Sequence, residues 1–145
     1  MCGKICSGKT TFAEKLRKDI NGVILSCDEI MLSLFDENLG ERHQIVERNC
    51  KNYLYTIAIR IAMCNTNVIL DCGFWTELER STTKRLFNSK GINTKLHYIS
   101  VDENTQKERI LLRNAQKNCN TYTITKDILT KCNSMFEPPK DYELL

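Results

Sequence analysis

Apolar residues follow two alternating patterns along the chain, and the two patterns predict strands and helices in turn. Short runs rich in β-branched and aromatic residues predict three strands, at Val23–Cys27 (VILSC), Val68–Asp71 (VILD) and Lys95–Ser100 (KLHYIS). The first two are apolar runs of the kind found in strands that are buried on both faces of a parallel sheet.

Five other stretches carry apolar residues at helical spacing. Of these, Glu41–Met63 has a wide apolar stripe with charged residues opposite. Thr125 is expected to cap the last helix, and Gly91 to end the third. Strands that alternate with helices predict an α/β fold with right-handed crossovers. The predicted helices are Lys9–Ile20, Glu41–Met63, Glu77–Lys90, Thr105–Gln116 and Lys126–Met135.

Length and charge narrow the class of protein. The chain has 145 residues and a formal net charge of +3. We expect residues 1–145 to form a single domain. The charge excess is mild and does not indicate a nucleic-acid or membrane surface. No apolar run approaches the roughly 18 residues of a membrane span, and no signal peptide is recognisable. These features predict a soluble, cytoplasmic protein.

The eight cysteines predict reduced thiols rather than a metal site or a disulfide framework. No two of them form a CxxC pair, and no cluster of histidines accompanies them. Most lie in apolar stretches, where cysteine behaves as a small hydrophobic residue.

The chemistry of the chain is clearest in the segment from Gly3 to Thr10, GKICSGKT. It matches the phosphate-binding pattern G-x-x-x-x-G-K-[ST]. Its glycines let the backbone turn its N–H groups toward phosphate oxygens, and the following helix adds its positive end. Lys9 is expected to reach the β- and γ-phosphates, and the Thr10 hydroxyl to bind Mg²⁺. The predicted nucleotide-binding residues are Gly3, Lys4, Ile5, Cys6, Ser7, Gly8, Lys9, Thr10 and Thr11.

Two carboxylates are predicted to follow strands at the edge where ligands bind in parallel sheets. Asp28 is a candidate general base or Mg²⁺ ligand, although it also suits the N-cap of a helix that begins at Glu29. Asp71 ends the VILD run, as the second carboxylate near Mg²⁺ does in nucleotide-binding proteins. The predicted metal-binding residues are therefore Thr10, Asp28 and Asp71.

Arginines and aromatic residues supply the remaining candidates. Arg109 and Arg113 are four apart and share one helical face, where they would clamp phosphates as part of a lid or else face solvent. Phe74 and Trp75 would form an apolar wall for the acceptor substrate, or belong to the core. Arg80 is a weaker candidate for a substrate contact.

These motifs together resemble a known group. The segments GKICSGKTTFAEKL, SCDEI, NVILDCGFW, RILLRN and MFEPP are similar to P-loop kinases of the AAA-family ATPase group, which are related to zeta-toxin, chloramphenicol phosphotransferase and polynucleotide-kinase-like enzymes. The resemblance implies a three-layer P-loop NTPase fold of the nucleoside-kinase type, with strand order 2-3-1-4-5. It also implies that Asp28 acts as the base, and that Arg109 and Arg113 are lid arginines.

A P-loop normally follows a strand, but only two residues precede Gly3. In the implied order this first strand is central, so its loss is expected to leave a gap between the third and fourth strands. No segment after Tyr142 clearly supplies a fifth strand.

The sequence thus predicts an ATP- and Mg²⁺-dependent kinase that phosphorylates a hydroxyl of a small molecule, with catalytic residues Lys9, Asp28, Arg109 and Arg113. Three alternatives stay open: a polynucleotide 5′-hydroxyl kinase, a nucleotide-binding switch that transfers nothing, and a degraded fragment that does not bind ATP.

Overall fold

The computed structural model describes residues 1–35, 39–116 and 122–144. Two five-residue strands form a parallel pair, β1 (Gly22–Ser26) and β2 (Asn67–Asp71), with Gly22 opposite Asn67 and Ser26 opposite Asp71. Both strands occur where the apolar runs predict them, and each begins one residue earlier than expected.

Six α-helices surround this pair within the described residues. The predicted bounds of the first and last are confirmed, and the others differ by one to two residues at their ends. The spacing of apolar residues did not predict the bounds of the second helix. The helices are α1 (Lys9–Ile20), α2 (Cys27–Leu34), α3 (His43–Met63), α4 (Glu77–Asn88), α5 (Glu103–Ala115) and α6 (Lys126–Met135). Short 3₁₀ turns lie at Gly40–Arg42 and Asp141–Glu143.

Local capping explains where several helices begin and end. The Thr125 hydroxyl accepts the Ile128 N–H, so the predicted cap of α6 is confirmed. Helix α4 ends at Asn88 with Ser89 as its C-cap, so the prediction that Gly91 ends this helix is wrong by two residues; Gly91 adopts the left-handed conformation further along the chain. Helix α2 is capped by Ser26, whose hydroxyl accepts the Glu29 N–H. Asp28 therefore lies inside the first turn and is not the N-cap.

The predicted third strand, Lys95–Ser100, is reduced to a single parallel bridge between Tyr98 and Cys2. The Cys2 N–H donates to the His97 carbonyl over 2.8 Å, and the Cys2 carbonyl accepts the Ile99 N–H at the same distance.

The two residues before the P-loop also contact β2, where the backbone nitrogen of Met1 donates to the Leu70 carbonyl over 2.9 Å. The two residues before the P-loop thus join β2 to the segment 97–99 and partly fill the expected gap.

Helices cover both faces of the sheet because side chains alternate along each strand. Ile24 and Ile69 pack with Ala13 of α1 on one face. Leu25 and Leu70 pack on the other face against a larger cluster that includes Cys27 and Met31 of α2 and Leu54 of α3. This is an α/β arrangement with a small parallel sheet between helical layers.

The cysteines pack as the apolar context predicts. Cys2, Cys27, Cys50 and Cys72 are buried, and all seven cysteines in the described residues are free thiols; Cys119 lies outside those residues.

None of the described helices combines the length and the apolar character that crossing a membrane requires.

Candidate active site

The loop from Gly3 to Thr10 has the backbone conformation that its glycines predict. Gly8 adopts φ +99° directly before α1, and Cys6 adopts φ +55°. A Cβ on Gly3 would lie 2.4 Å from the Ile99 carbonyl oxygen, so no larger residue fits there without a shift of the backbone. The curved loop and the start of α1 together form the kind of anion-binding site found at helix N-termini.

Lys9 folds back over this loop. Its Nζ donates to the carbonyl oxygens of Gly3 and Lys4 over 3.0 and 2.8 Å. Burial lowers the pKa of Lys9 below its ordinary value, and the negative charges of Asp71 and Asp28 oppose that shift. The ammonium group is therefore held beside the loop, with two carboxylates near enough to favour its charged form.

Thr10 and Asp71, two of the residues predicted to bind Mg²⁺, contact each other directly. The Thr10 hydroxyl donates to Asp71 Oδ2 over 2.8 Å, which links the start of α1 to the end of β2. No three His, Cys, Asp or Glu side chains in the described ranges converge as ligands for a metal. Mg²⁺ does not need such a cluster, because it is commonly bound by one or two protein oxygens together with phosphate and water. The oxygen donors of Thr10 and Asp71 fit this cation.

A cleft of about 1780 Å³ opens from the P-loop toward α3 and α4. Most of the predicted site residues line it. Gly3 and Lys4 take part through the carbonyls that bind Lys9, whereas Phe74 and Arg80 face elsewhere. The predicted residues that line the cleft are Ile5, Cys6, Ser7, Gly8, Lys9, Thr10, Thr11, Asp28, Asp71, Trp75, Arg109 and Arg113.

Asp28 lies at this cleft with its carboxylate unengaged. No hydrogen bond or ion pair holds its side chain among the residues that the structure describes, and the side chain is exposed to the cleft. Desolvation by the surrounding protein raises the pKa of Asp28 above its ordinary value, and the charge of Asp71 raises it further. Arg113 and Lys9 act in the opposite direction. The carboxylate is thus a stronger base than a free aspartate.

Helix α5 packs its polar face against the P-loop. Arg109 Nη1 donates to the Ser7 carbonyl over 2.9 Å, and Gln106 Nε2 donates to the Ile5 carbonyl over 2.8 Å. Arg113 Nη1 lies 3.9 Å from Cys6 Sγ. Arg109 and Arg113 therefore share a face of α5 that contacts the phosphate loop, while Arg109 also stays exposed to solvent. That they clamp phosphates stays a prediction.

Polar atoms at this end of the cleft are buried without a partner. Ser7 is 3% exposed, and its Oγ makes no hydrogen bond with the described part of the chain. The Nε atom of Arg113 is also buried and has no hydrogen-bond partner among the described residues. Unpaired buried polar groups cost about 1–3 kcal/mol each, so they usually have a ligand or a function. Both residues line the part of the cleft that the sequence assigns to phosphate.

The expected substrate contact of Arg80 is corrected. Arg80 is 5% exposed, and its guanidinium pairs with both carboxylate oxygens of Glu143, at 2.6 and 3.0 Å. It also donates to three carbonyls, those of Phe74, Trp75 and Glu137. Arg80 therefore ties the C-terminal segment to the loop after β2, away from the cleft.

The two aromatic residues after β2 have different positions. Phe74 is 5% exposed and belongs to the core cluster, where it stacks with Tyr55. The expectation that it forms part of the acceptor wall is corrected. Trp75 lines the cleft, and its Nε1 has no hydrogen-bond partner within the described ranges.

The structure also brings together cleft residues that the sequence reasoning missed. Lys51 Nζ pairs with Glu47 Oε1 at 2.8 Å and with Glu79 Oε1 at 2.7 Å, which joins α3 to α4. These two carboxylates raise the pKa of Lys51 although burial alone would lower it. The i,i+4 spacing of Glu47 and Lys51 was a visible signal in the sequence. The contact with Glu79 depends on how the helices pack and had none.

Comparison with known proteins identifies the family. The profile of a family described as AAA domain matches residues 1–139, nearly the whole chain. No curated protein shows a significant match. The family accounts for the nucleotide-binding character of the loop and for the P-loop NTPase type of α/β fold. The chain therefore belongs to this AAA-domain family of kinase-like P-loop proteins.

Proposed function

We propose that this protein is an ATP- and Mg²⁺-dependent phosphotransferase that moves the γ-phosphate of ATP to a hydroxyl group of a small molecule. One observation carries the proposal: an unengaged carboxylate, Asp28, faces the same cleft as the phosphate loop. A protein that only binds nucleotide has no need of a free base beside the phosphates. The resemblance to zeta-toxin, chloramphenicol phosphotransferase and polynucleotide-kinase-like enzymes, and to the nucleoside-kinase type of fold, forms part of the proposal.

The phosphate end of the cleft has the charge that phosphoryl transfer requires. In this reaction the protein contributes mainly positioning and electrostatic stabilisation. The loop amides and Lys9 would bind the phosphates. Arg109 and Arg113, which contact the loop from α5, would neutralise charge on the transferred group.

Thr10 and Asp71 would hold Mg²⁺, directly or through its water shell. When bound, the cation supplies positive charge that neutralises the phosphate oxygens. Asp71 is 8% exposed and is the last residue of β2, and its carboxylate accepts the hydrogen bond of the Thr10 hydroxyl. The strand and this hydrogen bond together fix the carboxylate beside the start of α1.

Asp28 would act as the general base. Its carboxylate would accept the proton of the acceptor hydroxyl while the hydroxyl oxygen forms a bond to the γ-phosphorus. The bond from that phosphorus to the oxygen shared with the β-phosphate breaks, and ADP leaves. The raised pKa of Asp28 suits this role, because a carboxylate with a higher pKa accepts a proton more readily.

A screen for transfer of labelled γ-phosphate tests the proposal. The acceptors are a library of hydroxylated metabolites and an oligonucleotide with a free 5′-hydroxyl. We expect the wild-type chain to label a small molecule. Labelling of the oligonucleotide alone would favour a polynucleotide kinase, and ATP binding without any transfer would favour a switch; each result would overturn the proposal.

The variant Lys9→Ala tests whether transfer depends on the P-loop. We expect transfer to fall by several orders of magnitude, since charge stabilisation dominates the reaction. Lys18→Ala is the matched control, because Lys18 is an exposed lysine of the same helix that does not line the cleft. Equal transfer by Lys9→Ala and Lys18→Ala would show that the phosphate site lies elsewhere.

A further inference from the structure

The backbone of Phe74 and Trp75 is held by two consecutive residues of α4. Glu79 Oε2 accepts the Trp75 N–H over 3.1 Å. Arg80 Nη1 donates to the carbonyl oxygens of Phe74 and Trp75, both over 3.2 Å. The backbone N–H and the carbonyl of Trp75 are therefore both engaged by charged side chains, which form stronger hydrogen bonds than neutral groups do.

Glu79 is in turn oriented from the cleft side. Its second oxygen, Oε1, pairs with Lys51 at 2.7 Å, and Lys51 also pairs with Glu47 of α3 at 2.8 Å. The side chains of Lys51 and Glu79 are only 16% and 23% exposed, so solvent screens this pair weakly. The chain of contacts links α3 to the backbone of Trp75.

Arg80 is oriented from the opposite side. Its pairing with Glu143 is nearly buried, with side chains 3% and 9% exposed. Arg80 also binds the Glu137 carbonyl at 2.9 Å, and the Glu137 N–H donates to the Trp75 carbonyl over 2.8 Å. The loop after β2 is thus fixed to the C-terminal segment as well as to α3.

The conformation of the loop explains why it needs such support. Gly73 and Phe74 both adopt positive φ values, +82° and +47°. For Phe74 this conformation costs of the order of 1–3 kcal/mol, and it persists only when the surroundings over-determine it. The Trp75 indole lies against Gly73, where a Cβ would be 2.9 Å from Nε1. The bend thereby turns Phe74 into the core and leaves Trp75 at the cleft.

We infer that Glu79 and Arg80 are positioning residues that fix the Trp75 indole as a preformed wall of the acceptor end of the cleft, with Lys51 orienting Glu79. The inference rests on the proposed function only in assigning this end of the cleft to the acceptor. The placement of Trp75 by α4 stands on the contacts alone.

Fluorescence of Trp75 tests the placement directly, because it is the single tryptophan of the chain. In Glu79→Ala, we expect a red-shifted emission and about a twofold rise in the acrylamide quenching constant, since the loop loses the acceptor of the Trp75 N–H and opens locally. Glu79→Gln should restore part of the wild-type signal, because its amide oxygen still accepts that hydrogen bond although the pairing with Lys51 is lost. A general loss of stability would not be rescued in this way.

Glu77→Ala is the matched control. Glu77 belongs to the same helix and pairs with Lys140 and Tyr142, whereas the side chain that accepts the Trp75 N–H is that of Glu79. We expect its fluorescence and quenching to equal those of the wild type. If Glu79→Ala does not fold, the comparison of Lys51→Met with Lys51→Arg replaces it. Wild-type emission and quenching in Glu79→Ala, or in folded Lys51→Met, would overturn the inference.

A parallel titration with ATP and Mg²⁺ keeps this test separate from that of the proposed function. We expect Glu79→Ala to bind ATP as the wild type does, and its KM for an acceptor found in the screen to rise. Failure of the wild type to bind ATP would refute the proposed function and leave the fluorescence comparison valid. An unchanged acceptor KM in a variant with displaced Trp75 would refute the assignment of this wall to the acceptor.

Discussion

At the scale of single residues, the phosphate end of the cleft depends on the contact between Thr10 and Asp71. The sequence predicted both residues from separate motifs, a phosphate loop and an apolar run that ends in aspartate. Their hydrogen bond of 2.8 Å joins the two motifs at one point. Because Asp71 is buried, the Thr10 hydroxyl is also part of what stabilises its charge.

The variant Thr10→Val tests what this hydroxyl contributes to the proposed metal site. In Thr10→Val, Asp71 loses a hydrogen bond to a charged group, and we expect a loss of about 1–3 kcal/mol in the free energy of unfolding. We also expect Mg²⁺ to lose most of its effect on ATP affinity, measured by titration with and without the cation.

Thr56→Val provides the control for this measurement. Thr56 is an exposed residue of α3 that does not line the cleft, and its hydroxyl donates to the Asn52 carbonyl. Its ATP affinity should respond to Mg²⁺ as that of the wild type does. A full Mg²⁺ response in Thr10→Val would refute the role of Thr10 in the metal site.

Single residues also show where prediction from sequence ends. Arg80 and Arg109 are both arginines of amphipathic helices, and neither spacing nor composition distinguishes them. Arg80 becomes a buried anchor only because Glu143, sixty-three residues later, folds back beside it. Long-range contacts of this kind leave no local pattern, so its role could not be read from the sequence. The same holds for Phe74, whose positive φ turns it into the core.

At the scale of elements, the P-loop is held by hydrogen bonds from α5. The start of α1 was predicted correctly because two glycines and the amphipathic pattern after them agree. The spacing of Arg109 and Arg113 predicted that both share one face of α5, and the contact of that face with the loop depends on how α5 packs. Gln106, which binds the Ile5 carbonyl from the same face, was not singled out, since a glutamine in a helix carries no distinctive signal.

A pair of glycine substitutions tests this junction. Gly8 has φ +99°, and a Cβ added there would lie 3.3 Å from Arg109 Nη1. Gly91 has φ +71° and open space around it. Alanine at either position should cost about 1 kcal/mol or more of stability, because the left-handed conformation disfavours a side chain.

The two substitutions should differ in their effect on nucleotide binding. Gly8→Ala displaces the loop or Arg109, so we expect its ATP affinity to fall clearly, whereas Gly91→Ala should bind ATP as the wild type does. Isothermal titration at matched fractions of folded protein makes the comparison. Equal ATP affinity in the two variants would contradict the contact between α5 and the P-loop as part of the nucleotide site.

At the scale of the whole molecule, the α/β class was predicted because buried strands and amphipathic helices alternate along the chain. Helices on both faces of β1 and β2 follow from the alternation of Ile24 and Leu25, and of Ile69 and Leu70. The third predicted strand is only a bridge at Tyr98. Its composition favours a strand, but a strand also needs a partner of equal length, and among the described residues only Cys2 pairs with it.

The candidate active-site cleft is also a feature of the whole molecule. Residues from the loop before α1, from the first turn of α2, from the end of β2 and from α5 line one cleft, although they are far apart in the sequence. The topology places the strand ends at one edge, as in other parallel sheets, and this rule made most of the site predictable. The placement of Trp75 at the cleft was less predictable, because residues of α3, α4 and the C-terminal segment hold its backbone.

The most direct test of the phosphotransferase proposal compares ATP binding with phosphoryl transfer in Asp28→Asn. Asparagine keeps the size of the side chain, and no hydrogen bond or ion pair is lost within the described residues. We predict an ATP affinity close to that of the wild type and a transfer rate lower by about 100- to 10,000-fold, the contribution expected of a general base. Transfer at the wild-type rate in this variant would contradict the account.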